Sequence, residues 1–110
     1  MNWLGVLTAL SGAIAIGAGA FGAHGASPHA AELLKTGGQY QLVHAVAALV
    51  AMGLGARGPG WLFVAGAGLF AGSIYGLALG GPRWLGSVTP VGGVLMIAGW
   101  VWLAVMLARR

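Results

Sequence analysis

The side chains able to do chemistry are few, and they fall in three short stretches. His24 and His29 precede Glu32. Gln39, Tyr40 and Gln41 precede His44. Ser73 and Tyr75 are followed by Arg83 and Thr89. Imidazole can carry a proton, act as a general base or ligate a metal. Tyr40 and Gln41 stand four and three residues before His44, so all three share a helical face and a local hydrogen-bonded triplet is available. The chemistry these groups could perform is nonetheless narrow. The chain holds one acid, Glu32, outside the apolar stretches, and no cysteine, so a carboxylate pair and a thiolate nucleophile are out of reach, and a nucleophile–base–acid arrangement cannot be assembled from membrane-embedded residues. The histidines lack the i, i+4 spacing of a helix-borne metal site. The expectation is therefore no enzyme, no metal and no cofactor. His44 has two readings: a neutral histidine clamping its helix to a neighbour, or a contact for a ligand, a proton or a partner.

The elements that position these groups are set by composition. Of 110 residues, 59% are hydrophobic, only 5% are charged and 22 are glycine. Soluble domains carry nearer a quarter charged residues, and so apolar a chain has to bury its surface. The length suits one domain, residues 1–110, in a lipid bilayer. The net charge of +4 comes from five cations scattered singly; a nucleic-acid footprint needs them clustered.

Four segments approach the ~20 apolar residues that a bilayer core requires: 3–21, 38–56, 61–80 and 90–108. The first has no basic residue ahead of it and reads as a retained helix rather than a cleaved signal. Gly58-Pro59-Gly60 reads as a tight inter-helix turn and Gly80-Gly81-Pro82 as a helix stop. Thr89-Pro90 reads as the cap and first residue of the fourth helix. Ser27-Pro28 would start a short interfacial helix over His29 to Thr36, between helices 1 and 2. The fold class is thus an all-α membrane protein of four transmembrane helices in an up-down bundle. Arg57, Arg109 and Arg110 on one side, against Lys35 and Arg83 on the other, favour both termini in the cytoplasm.

Gly68, Gly72, Gly76 and Gly80 recur every four residues inside an apolar stretch. They would form a groove along one side of the third helix, for another span of the same chain or for a second copy. Hairpin order brings the end of span one, the start of two, the end of three and the start of four to one face. His24, Gln39, Tyr40, Gln41, His44, Ser73, Tyr75, Arg83 and Thr89 should gather there, with His44 and Tyr75 on the order of 10 Å inside the boundary. Ser73 and Tyr75, two residues apart, must point in different directions; Tyr75 is expected to reach headgroup level.

Taken in order, several stretches resemble a family of small bacterial membrane proteins catalogued as domain of unknown function 423. These are residues 19–24 (Gly-Ala-Phe-Gly-Ala-His); Thr36-Gly37 with Gln39-Tyr40-Gln41 and His44; residues 70–75 with 77–79; and residues 88–93 with Ala98-Gly99-Trp100. The family often carries Ser where this chain has Ala71. The resemblance implies a four-helix protein of the bacterial inner membrane and no particular activity. The expected role is a structural or accessory bundle that self-associates or binds another membrane protein. A small-solute channel or transporter with a polar site near His44 is the alternative.

Overall fold

A computed structural model describes all residues 1–110. It contains four helices and no strand: α1 (Trp3–His24), α2 (Pro28–Gly53), α3 (Arg57–Ala78) and α4 (Leu85–Ala108). Three of them, α1, α3 and α4, are long and apolar enough to cross a membrane; α2, whose first half carries His29, Glu32, Lys35, Thr36, Gln39 and Tyr40, is not among them.

Local chemistry sets the boundaries. Asn2 caps α1, its side chain accepting from the Gly5 N–H at 3.0 Å. Ser27 caps α2 by accepting from Ala30 N–H, and Pro28 supplies a preset φ at the first position. The separate interfacial helix expected over His29 to Thr36 does not exist: α2 runs unbroken through it and through Gly37-Gly38. Those glycines do not break the helix because they serve packing. A Cβ on Gly37 would lie 2.7 Å from the Tyr75 ring, and one on Gly38 would lie 3.1 Å from the Ala15 carbonyl oxygen.

The turn after α2 falls three residues earlier than expected. Gly55, at φ +75°, ends the helix, and Ala56 N–H returns to Ala51 C=O at 2.7 Å. Gly58-Pro59-Gly60 accordingly forms the first turn of α3. The stop at Gly80 (φ +87°) is where the sequence places it, with Gly81 N–H bonded to Gly76 C=O at 2.7 Å. Helix α4 begins at Leu85, leaving Thr89 and Pro90 one turn inside it. Its leading N–H groups bond instead to the carbonyls of Pro82, Arg83 and Trp84, which satisfies them in a tightened first turn.

Consecutive helices run antiparallel, with α2 and α3 central and α1 and α4 flanking them. The core joining α2, α3 and α4 is built from Ala48, Ala51, Ala56, Phe63 and Leu103; alanines there let the helix axes approach closely. The glycines at the tightest seam are not the four in register. A Cβ on Gly92 would stand 2.5 Å from the Gly66 carbonyl oxygen, and one on Gly99 would stand 2.8 Å from the Phe63 ring. Gly68, Gly72 and Gly80 have nothing within 4 Å at that position, and Gly76 meets only the Leu85 side chain among other elements. The intrachain groove expected along Gly68, Gly72, Gly76 and Gly80 is therefore replaced by a seam through Gly66, Gly92 and Gly99. Burial of Phe63 and Ile74 sets the rotation of α3 and turns Gly68 and Gly72 outward.

Candidate functional site

Helix α2 carries the polar residues inward, and each finds its partner on a different neighbour. Gln41 is 5% exposed. Its amide donates to Ser11 Oγ of α1 at 3.1 Å, while its Oε1 accepts from the Tyr75 hydroxyl of α3 at 2.6 Å. One side chain thus ties three helices, using an amide's capacity to donate at one atom and accept at the other.

His44, one turn further on, is 6% exposed. Its Nε2 lies 3.0 Å from Trp100 Nε1 of α4. An indole can only donate, so Nε2 is the acceptor and the ring proton resides on Nδ1. That proton is given to the Tyr40 backbone carbonyl at 2.7 Å. Phe63 and Trp100 meet the imidazole edge-on, with centroids 5.6 and 5.9 Å away. Both ring nitrogens are used, and aromatic surface closes around them.

A third link joins α3 to α4. Ser73 Oγ donates to the Phe70 carbonyl at 2.9 Å and lies 2.5 Å from Thr89 Oγ1. With Ser73's only hydrogen engaged, the Thr89 hydroxyl is the donor between them. Its alternative acceptor, the Leu85 carbonyl, is more distant at 3.4 Å.

The structure brings six of the sequence's candidates into contact with other helices or with one another, but in three separate seams rather than one patch. Gln41 turns away from Tyr40 and His44, so the hydrogen-bonded triplet on α2 does not form; His44 bonds only to the backbone of Tyr40, and the two rings lie nearly parallel with centroids 6.5 Å apart. The Tyr40 ring is 48% exposed and leans on Phe70, centroids 4.8 Å apart. Tyr75 points into the Gln41 seam instead of toward the headgroups. His44 lies about 24 Å along α2 from Pro28, and its partners Phe63 and Trp100 lie about 22 Å from the corresponding ends of α3 and α4. The distance along α2 is long because the helix begins ten residues earlier than its apolar stretch.

His24, at the end of α1, and Arg83, in the turn between α3 and α4, are exposed and take no part in these seams. Gln39 is exposed on α2 and lines surface hollows. No three His, Asp or Glu side chains gather closely enough to hold a metal ion. Two hollows flank Tyr40: one of about 480 Å³ reaching Val43 and His44, and one of about 410 Å³ running to Phe70, Met96 and Trp100.

Sequence reasoning missed Ser11 and Trp100. Ser11 follows Thr8 by one helical step inside an otherwise apolar segment, which marks a buried face. Trp100 reads as an interfacial anchor until its depth beside His44 is known. Thr8 itself is 1% exposed, and its hydroxyl has no hydrogen-bond partner.

The family described as "Protein of unknown function (DUF423)" matches residues 18–93. A UPF0382 membrane protein of Staphylococcus aureus (strain bovine RF122 / ET3-1) is 38% identical over 110 residues, covering 91% of this chain and 90% of the relative. The UPF0382 membrane protein YwdK of Bacillus subtilis (strain 168) is 38% identical over 112 residues, covering 91% of each. No solved structure matches the chain. Four helices, three of them fit to span a bilayer, and a match across most of the length to membrane proteins of two bacterial genera lead to one assignment: the chain belongs to the DUF423 family of bacterial membrane proteins.

Proposed function

We propose that this protein is a non-enzymatic, multi-pass scaffold of the bacterial inner membrane that associates with a second copy of itself. In this reading α2 is a fourth span. Its packing along both α1 and α3 supports that reading. Its outward side chains from Leu42 to Val50 (Leu42, Val43, Val46, Leu49 and Val50) are apolar, as lipid contact demands. The termini face the cytoplasm, following the arginines at residues 57, 109 and 110.

The observation that carries the scaffold reading is the pairing of the buried polar side chains. Gln41, His44, Ser73, Tyr75 and Thr89 engage Ser11, Trp100 and one another, which commits these groups to holding the helices together. Exposed backbone at Gly68 and Gly72 gives α3 a smooth outer edge for a second copy. The test is oxidative crosslinking of Gly72→Cys in native membranes, the chain having no other cysteine. Self-association predicts a disulfide-linked dimer at low expression. A protein that stays monomeric in membranes and in mild detergent contradicts it.

The hollows beside His44 favour a second reading, a binding or transit site for a small solute. Flux into liposomes that is equal for wild type, His44→Ala and protein-free vesicles removes that reading.

A further inference from the structure

The groove between α1 and α2 stands apart from the three polar seams. It has a volume of about 580 Å³ and opens along the outside of both helices. Apart from Ile16, its α1 wall is made of glycine and alanine, and a Cβ placed on Gly19 would meet nothing within 4 Å. Its α2 wall changes character with depth: Glu32 and Lys35 come first, then Gln39, then Leu42. From Glu32 to Leu42 the drop is about 15 Å along the helix. Charge at one end, an amide in the middle and hydrocarbon at the other is the polarity profile of a phospholipid.

We propose that this groove binds one zwitterionic phospholipid. Lys35 faces the phosphate and Glu32 the headgroup amine; the Gln39 amide donates to an ester carbonyl, and an acyl chain lies over Leu42, Ile16 and the small-residue wall. The occupant follows from charge. Glu32 and Lys35 offer both signs and no net charge, which complements an ethanolamine headgroup. A purely anionic headgroup would set its uncompensated charge beside Glu32, the only carboxylate side chain in the protein. The proposal rests on the reading of α2 as a helix immersed beside α1, but not on self-association.

The test is native mass spectrometry of the full chain, released from mixed micelles holding equal phosphatidylethanolamine and phosphatidylglycerol. One phosphatidylethanolamine should be retained per protein, preferred about fivefold, the effect of one interfacial charge. Glu32→Gln, an exposed substitution, should bring the preference to unity. Gly19→Leu should empty the groove of both lipids while circular dichroism stays at the wild-type value and the unfolding midpoint stays at or above it. Equal retention of the two lipids by wild type overturns the proposal, as does full retention by Gly19→Leu. If Gly19→Leu does not fold, the wild-type and Glu32→Gln comparison decides alone. Val46→Cys in native membranes separates the two readings. Labelling by a membrane-impermeant maleimide overturns the immersion of α2 and the lipid site together. An unlabelled cysteine with no lipid preference overturns the lipid site only.

Discussion

Two alanine substitutions on the α3–α4 pair, Gly92→Ala and Gly72→Ala, should have opposite consequences although both replace a helical glycine. At Gly92 the new Cβ would lie 2.5 Å from the Gly66 carbonyl oxygen, with Phe70 backbone equally close. Backbone atoms cannot rotate aside as a side chain does, so the helices must separate. That separation loosens the contacts of Gly66, Met96 and Gly99 along the same seam. Overpacking of this kind costs about 1–3 kcal/mol, and the absence of any flexible neighbour puts Gly92→Ala toward the upper end. At Gly72 a Cβ meets nothing within 4 Å, so within one protomer only the helix preference for alanine acts, a gain of about 0.5–1 kcal/mol. The assay is reversible unfolding in mixed micelles with increasing sodium dodecyl sulfate, followed by circular dichroism. Gly92→Ala should unfold at distinctly lower denaturant, and Gly72→Ala at equal or higher denaturant than wild type. Equal destabilisation by both would return the seam to the every-fourth-residue glycines and refute the helix rotation described above. A neutral Gly92→Ala would refute the close approach itself.

Further outcomes follow from the hydrogen bonds. Gln41→Leu strands both Ser11 and Tyr75 and should cost about 1–3 kcal/mol in the same unfolding assay, since bonds between helices in lipid average about 0.6 and reach about 1.7 kcal/mol each. Pairing Gln41→Leu with Tyr75→Phe should give less than the sum of the two losses; strict additivity would mean the 2.6 Å contact contributes nothing. His44→Phe and Trp100→Phe should likewise be non-additive by about 0.6–1.7 kcal/mol, whereas a ligand-binding His44 uncoupled from Trp100 gives independent effects. Thr89→Val keeps the shape but removes the donor to Ser73, and should lower stability by about 0.5–1.5 kcal/mol, read again from the unfolding midpoint.

Much of this molecule follows from composition and punctuation alone. An apolar chain with one acid and no cysteine belongs in lipid. Ser27-Pro28 marks the start of α2 and Gly80 the end of α3, because capping and positive φ are decided within a few residues. The same local reasoning misjudged Gly37-Gly38, Gly58-Pro59-Gly60 and Thr89-Pro90. A glycine or proline looks alike whether it ends a helix, opens one or clears space for a neighbour. For Gly37 and Gly38 the answer lies in Tyr75 and Ala15, distant in sequence.

Helix rotation and axial stagger are the quantities that the tertiary structure alone decided. Whether α3 presents Gly66 or Gly68 to α4 depends on where Phe63 and Ile74 bury, a sum over contacts from three helices. Whether His44 meets the headgroups or Trp100 depends on how far α2 slides along α1, which Gly38 against the Ala15 carbonyl helps to set. Residue types and their periodicity name the polar groups available. Only the packed helices determine that Gln41 reaches Ser11 and Tyr75 while His44 reaches Trp100, since those pairings join residues 30 to 56 positions apart.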